Sequence, residues 1–185
     1  SQRALTVLSS VDIIACEDTR HTGSLLVRFG IKKKLVSYHN FNESSRASRI
    51  IDTLLEGSDV ALVSDAGTPG ISDPAYRLVR AAIENDISVI PIPGASSVLA
   101  ALVVSGCPLD RFVFEGFLPP KGSKRMKAIE ALHNEVRTIV ILESPFRIIA
   151  LIEEILAILG DRYVSVSREM TKLHEETVRG TASDV

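Results

Sequence analysis

The run Glu17-Asp18-Thr19-Arg20-His21 places two acids, a guanidinium and an imidazole side by side. Such a cluster can take a proton from a hydroxyl or hold a polar ligand. The same letters also describe a capped helix start with acids near its positive end. A second run, Ser64-Asp65-Ala66-Gly67-Thr68-Pro69-Gly70-Ile71-Ser72-Asp73-Pro74, carries more Gly, Thr, Ser and Asp than a turn requires. Its glycines let backbone approach a ligand closely. Asp73 followed by Pro74 reads as an N-cap and a first helical residue. A third run, Pro93-Gly94-Ala95-Ser96, offers free backbone N–H groups at a helix start, although alone it is equally a tight turn. Glu143-Ser144-Pro145-Phe146-Arg147 reads as a capped helix start with Ser144 as the cap, and Arg168 to Glu176 is a dense charge run.

Each polar run has to be positioned by the element before it. Apolar segments at Asp12–Cys16, Lys34–Ser37, Val60–Ser64, Ser88–Pro91, Phe112–Phe117, Thr138–Leu142 and Tyr163–Ser167 read as strands. Helical periodicity fills most of the gaps, at Thr19–Phe29, Glu43–Glu56, Pro74–Asn85, Ala95–Ser105, Lys124–Asn134 and Ser144–Leu159. Strands of continuous apolarity between helices indicate a parallel sheet buried on both faces. The expected class is α/β in two domains: residues 1–111, with a mostly parallel sheet, and a smaller α/β domain at 112–185. In an open parallel sheet, ligands bind beyond the carboxyl ends of the strands, where these polar runs fall. The sequence opens inside a helix and closes on Arg179-Gly180-Thr181, read as a turn. A leading strand and at least one trailing strand are therefore expected to be missing, and both ends read as cut.

Composition narrows the function classes. The sequence has 185 residues, 45% of them apolar, and a net charge of −2. That charge argues against wholesale coating of nucleic acid but leaves room for a local basic patch. Lys32-Lys33-Lys34 and the group Lys121, Lys124, Arg125 and Lys127 are two such concentrations. Tyr38, Phe41 and Phe117 are candidate stacking surfaces for unpaired bases. Cys16 and Cys107 are isolated and read as small buried residues in a cytoplasmic protein. His39 and His133 read as incidental. No His and acid spacing suggests a metal site, so none is expected. No apolar run is long enough to span a bilayer.

Taken together, Ala-Cys-Glu-Asp-Thr-Arg-His-Thr (15–22), Ser-Asp-Ala-Gly-Thr-Pro-Gly-Ile-Ser-Asp-Pro (64–74), Pro-Gly-Ala-Ser (93–96), Phe-Glu-Gly-Phe-Leu-Pro (114–119) and Arg-Glu-Met-Thr-Lys-Leu-His-Glu-Glu (168–176) resemble the tetrapyrrole methylase superfamily. More narrowly, they resemble its branch that methylates a ribose 2′-hydroxyl of small-subunit ribosomal RNA. The resemblance implies a two-domain fold, S-adenosylmethionine as methyl donor, a cytidine in the decoding region of 16S rRNA or the 30S subunit as target, and a homodimer. It implies a cofactor site from Asp65, Ala66, Gly67, Thr68 and Pro69, with Gly94, Ala95 and Ser96, and Phe117 and Leu118. Glu17, Asp18 and Arg20 are then the catalytic candidates, with one of the acids as base. Lys121, Lys124, Arg125, Arg168 and Lys172 are the candidates for holding RNA. Two alternatives are a same-fold methylase acting on a tetrapyrrole or other small molecule, and a non-catalytic RNA-binding factor. A nucleotide-binding α/β protein of other chemistry is a third.

Overall fold

The computed structural model describes all residues, Ser1–Val185, which divide by internal contacts into two units, Ser1–Ala95 and Ser96–Val185.

The first unit is built on three short parallel strands, β1 (Ile13–Cys16), β2 (Lys34–Ser37) and β3 (Val60–Val63), in the order β2-β1-β3. Alternate residues supply two cores. Ala15, Val36, Val60 and Leu62 face helices α3 (Glu43–Leu55) and α4 (Tyr76–Glu84), packing with Ala47, Ile50, Ile51, Leu78 and Ala82. Ile14, Leu35, Ala61 and Val63 face helices α1 (Gln2–Ser10) and α2 (Thr19–Arg28), with Leu5, Leu8 and Leu26. Burial on both faces is why these strands read as continuous apolar runs.

The second unit opens with helix α5 (Ser97–Ser105), followed by the parallel pair β4 (Phe112–Phe117) and β5 (Thr138–Leu142). Helices α6 (Ser123–Glu130) and α7 (Ile148–Leu159) share a core of Leu118, Ile129 and Leu151 with Ile141 and Ile155. An antiparallel hairpin, β6 (Tyr163–Arg168) and β7 (Glu176–Thr181), ends the chain. Helix α5 lies against this hairpin: Tyr163 Oη donates to the Ser105 carbonyl at 3.1 Å and Arg179 Nε to the Val104 carbonyl at 2.6 Å. Gly106 ends α5 at φ +77°, and a Cβ there would lie 3.0 Å from Tyr163 Oη. Gly106→Ala is therefore expected to cost at least about 1–2 kcal/mol, the penalty for a side chain in left-handed backbone, measured by urea unfolding.

Several sequence expectations are corrected. Ser88–Pro91 is not a strand, because no neighbour gives it a hydrogen-bonded ladder. Arg179–Thr181 is not a turn but the end of β7, paired to Tyr163–Ser165. Helix α4 begins at Tyr76 with Ala75 in the cap position and no side-chain cap, so Asp73 and Pro74 precede the helix. Helix α7 begins at Ile148, and Ser144 instead accepts from the Phe146 N–H at 3.3 Å in the turn before it. No helix is long and apolar enough to cross a membrane.

Candidate functional site

Cys16 ends β1 opposite Val63 of β3, so Glu17 and Ser64 leave the sheet side by side. This parallel register joins the first two polar runs. The Asp65 N–H donates to Glu17 Oε2 at 3.2 Å, and the Asp18 N–H donates to Asp65 Oδ1 at 3.4 Å. Each strand end is thus tied to the loop of the other. Glu17 Oε1 and Asp65 Oδ2 keep their lone pairs for a ligand. Thr68 and Ile71 close a turn further along, with the Ile71 N–H donating to the Thr68 carbonyl at 3.1 Å. Gly67 sits at φ +68°, and a Cβ built on it meets nothing within 4 Å. Asp65, Ala66, Gly67 and Thr68 are exposed and Pro69 half-buried.

The acids of this rim differ in character. Asp18 caps α2, its Oδ1 accepting from the Arg20 N–H at 2.8 Å, while Arg20 grips both carboxylate oxygens at 3.1 and 2.7 Å. The Arg20 side chain and N–H hold the Asp18 carboxyl well below the usual carboxylate range. Burial pushes the Asp73 carboxyl up, and Glu17 and Asp65 push it the same way against the Ser64 hydroxyl. Asp73 therefore belongs to a field of carboxylates with Glu17 and Asp65, a role that its reading as a helix cap concealed. Cys16 directly beneath is fully buried, and burial pushes its thiol up, as befits an inert core residue.

Gly94 and Ala95 are exposed, and Ser96 caps α5 by accepting from the Leu99 N–H at 3.4 Å. In the second unit Phe117 is exposed, whereas Leu118 points into the core with Ile129 and Leu151 and offers a ligand only its backbone.

The candidate RNA-binding cations separate into different environments. Lys121 and Lys124 are exposed and enter no ion pair. Arg125 is only 1% exposed. Its guanidinium pairs with Glu143 at 2.6 Å and with Glu154, and Arg147 holds the other Glu143 oxygen. A buried, paired guanidinium has no phosphate to offer itself to, so its reading as an RNA contact is corrected to an internal brace. Arg168 pairs with Glu176 and Lys172 with Glu169, both on the surface of the β6–β7 hairpin. Tyr38 is also removed from the stacking candidates: it is fully buried and donates to Glu43 Oε1 at 3.2 Å. Phe41 is 99% exposed.

Parallel strands with polar loops joined at their carboxyl ends make the chain an α/β protein, and in open α/β sheets that rim is the usual place for a ligand. Residues 1–185 match the family model for Tetrapyrrole (Corrin/Porphyrin) Methylases, and the chain belongs to that family. It is 49% identical to a protein named Ribosomal RNA small subunit methyltransferase I from Synechocystis sp., over 97% of this chain and 64% of that protein. Its identity to the protein of that name from Escherichia coli O157:H7 is also 49%, over 97% of this chain and 63% of the relative. For the Thermotoga maritima protein of that name the identity is 47%, over 98% of this chain and 82% of the relative. The chain thus spans just under two thirds of the length of the first two. Diphthine synthase and the methyltransferase CobJ share the fold, with TM-scores of 0.73 and 0.70 at 16% and 18% identity, covering all of this chain and 77% and 81% of theirs.

Proposed function

We propose that the protein carrying this chain is an S-adenosylmethionine-dependent methyltransferase acting on a cytidine ribose 2′-hydroxyl in the decoding region of 16S rRNA. The observation that carries the reading is the 49% identity, over nearly the whole chain, to proteins named ribosomal RNA small subunit methyltransferase I. The residues present fit the donor in charge and form. The rim offers several carboxylates to a sulfonium cation, a free Asp65 oxygen to a ligand hydroxyl, and open space at Gly67. Asp65 to Pro69, with Gly94 and Ala95 of the same unit, would hold the donor. When bound, S-adenosylmethionine supplies an electrophilic methyl group.

The chain's own work is then to orient the ribose and remove its proton. Orientation of the reacting groups can account for roughly 7–11 kcal/mol of barrier reduction. Glu17 is the better base of the two candidate acids, because Arg20 occupies both oxygens of Asp18 while Glu17 Oε1 is free. The hydroxyl proton passes to Oε1, and the Asp65 N–H on Oε2 keeps the carboxylate aimed. Arg20, 90% exposed at its side chain, orients Asp18 and is open to a phosphate. Lys121 and Lys124 supply further phosphate contacts from the second unit. We read the protein as a homodimer, which sedimentation equilibrium of the whole protein tests.

The deciding experiment is transfer of tritiated methyl from S-adenosylmethionine to 30S subunits by the whole protein, with the modified nucleotide mapped. Alkali-resistant label at one cytidine is the expected result. Label on a base, or none on RNA, would sink the reading.

A further inference from the structure

Two basic segments on consecutive elements, β2 with its lead-in and helix α3, meet on one edge of the first unit. Lys32 and Lys33 lead into Lys34, which opens the edge strand β2. Helix α3 covers the sheet face on which Val36 lies and presents Arg46 and Arg49 one turn apart. Lys34, Arg46 and Arg49 line the same cavity, about 80 Å³, over a floor that includes Ile13, Val36 and Val60. None of the five cations forms an ion pair, and Asp52, one turn beyond Arg49, pairs with neither arginine. Elsewhere the arginines of this unit are commonly neutralised, as Arg77 is by Glu43 and Arg80 by Glu84. In a chain of net charge −2, five cations at one edge outside any ion pair, against the nearby Asp12, Asp52 and Asp59, leave a local excess of positive charge suited to a polyanion. The cavity is small beside ligand pockets of roughly 300–1,000 Å³, so a phosphate at its rim suits it better than a whole small molecule.

We propose that Lys32, Lys33, Lys34, Arg46 and Arg49 form a phosphate-backbone contact surface for RNA, on the β2–α3 edge. The inference rests on the reading of the protein as an RNA methyltransferase and adds a second anchoring surface to it. Contacts to phosphate fix register and orientation without reading sequence. The surface therefore contributes affinity and salt dependence, and leaves the choice of nucleotide to the rim.

The test is binding of a fluorescein-labelled decoding-region RNA to the whole protein, followed by anisotropy across a salt titration. Each phosphate contact released lowers the slope of log K against log salt by about 0.7–0.9. Lys34→Gln/Arg46→Gln/Arg49→Gln is expected to lower the slope by about 2–3 and to weaken binding at least about tenfold at low salt. Lys32→Gln/Lys33→Gln, on the segment before the strand, is expected to lower it by about 1–2 and carries the test if the triple variant does not fold. Arg80→Gln/Arg111→Gln/Arg137→Gln, with the same loss of charge elsewhere, is expected to keep the wild-type slope. Unchanged slopes in both patch variants overturn the proposal. So does an equal fall in the Arg80/Arg111/Arg137 control, which would assign the effect to net charge. Methylation of 30S subunits by the wild type is measured in parallel. If it succeeds and the patch variants bind normally, only this surface is wrong; if the wild type neither binds nor methylates RNA, the functional reading falls with it.

Discussion

Glu17→Gln in the whole protein is expected to lower methyl-transfer turnover by about 10²–10⁴-fold, the usual contribution of a positioned general base. The amide keeps the size of the side chain and can still accept from the Asp65 N–H, so the link between the two strand ends survives while the proton acceptor is lost. Asp18→Asn is expected to do much less to turnover. Arg20 already holds the Asp18 carboxyl well below its ordinary range, which makes it a poor acceptor, and Asn caps a helix about as well as Asp. Single-turnover transfer of tritiated methyl to 30S subunits measures both. Asp73 provides the discriminating control, because burial and its acidic neighbours push its carboxyl up, toward basicity. Full turnover in Glu17→Gln with a collapse in Asp73→Asn would move the proton to that neighbouring carboxylate.

Arg125→Met is expected to destabilise the second unit by about 3–5 kcal/mol, the cost of removing one partner from a buried ion pair. Glu143, 2% exposed at its side chain, would keep only Arg147 and the Ser144 N–H, and Glu154 would lose its guanidinium. Urea unfolding measures the loss, and Arg125→Met/Glu143→Gln should recover part of it by removing the uncompensated charge. The pH dependence has a definite sign. Burial alone would raise the Glu143 carboxyl, but the Ser144 N–H, Arg125 and Arg147 more than offset it and hold it below its ordinary 4.5. A carboxyl lowered in the folded state stabilises fully above its unfolded value and ceases to do so as pH falls through the folded one. Wild-type stability should therefore fall in acid below about pH 4.5, and Arg125→Met should show a shallower fall over the same window. An Arg125→Met protein as stable as wild type would show that the brace is dispensable.

The joining of Glu17–Arg20 to Asp65–Pro69 was legible in part. The sequence places both runs after apolar strands, and parallel pairing requires both to emerge at the same rim. Which strands are neighbours was not legible, since β1 is flanked by β2 and β3 through crossovers of different lengths. The strand assigned to Ser88–Pro91 failed for a related reason: β propensity marks a segment fit for a ladder, but the ladder needs a partner. Glu176 to Thr181 read as the end of a charge run and a turn rather than as a strand, because this antiparallel strand carries polar residues at most positions. The edge formed by Lys34, Arg46 and Arg49 had only a faint signal, two arginines three apart on a helix after a lysine run.

The amino-acid order alone determined the α/β class, the alternation of strand and helix, the polar loops at strand ends and the family, because these depend on local periodicity and contiguous motifs. Only the tertiary structure decided which charges are available. Arg125 and Lys124 are adjacent in the chain, yet one is buried between two glutamates and the other faces water. Successive residues of a helix point in directions about a quarter-turn or more apart, so which of two neighbouring cations meets a carboxylate is set by what packs against the helix, not by its own letters.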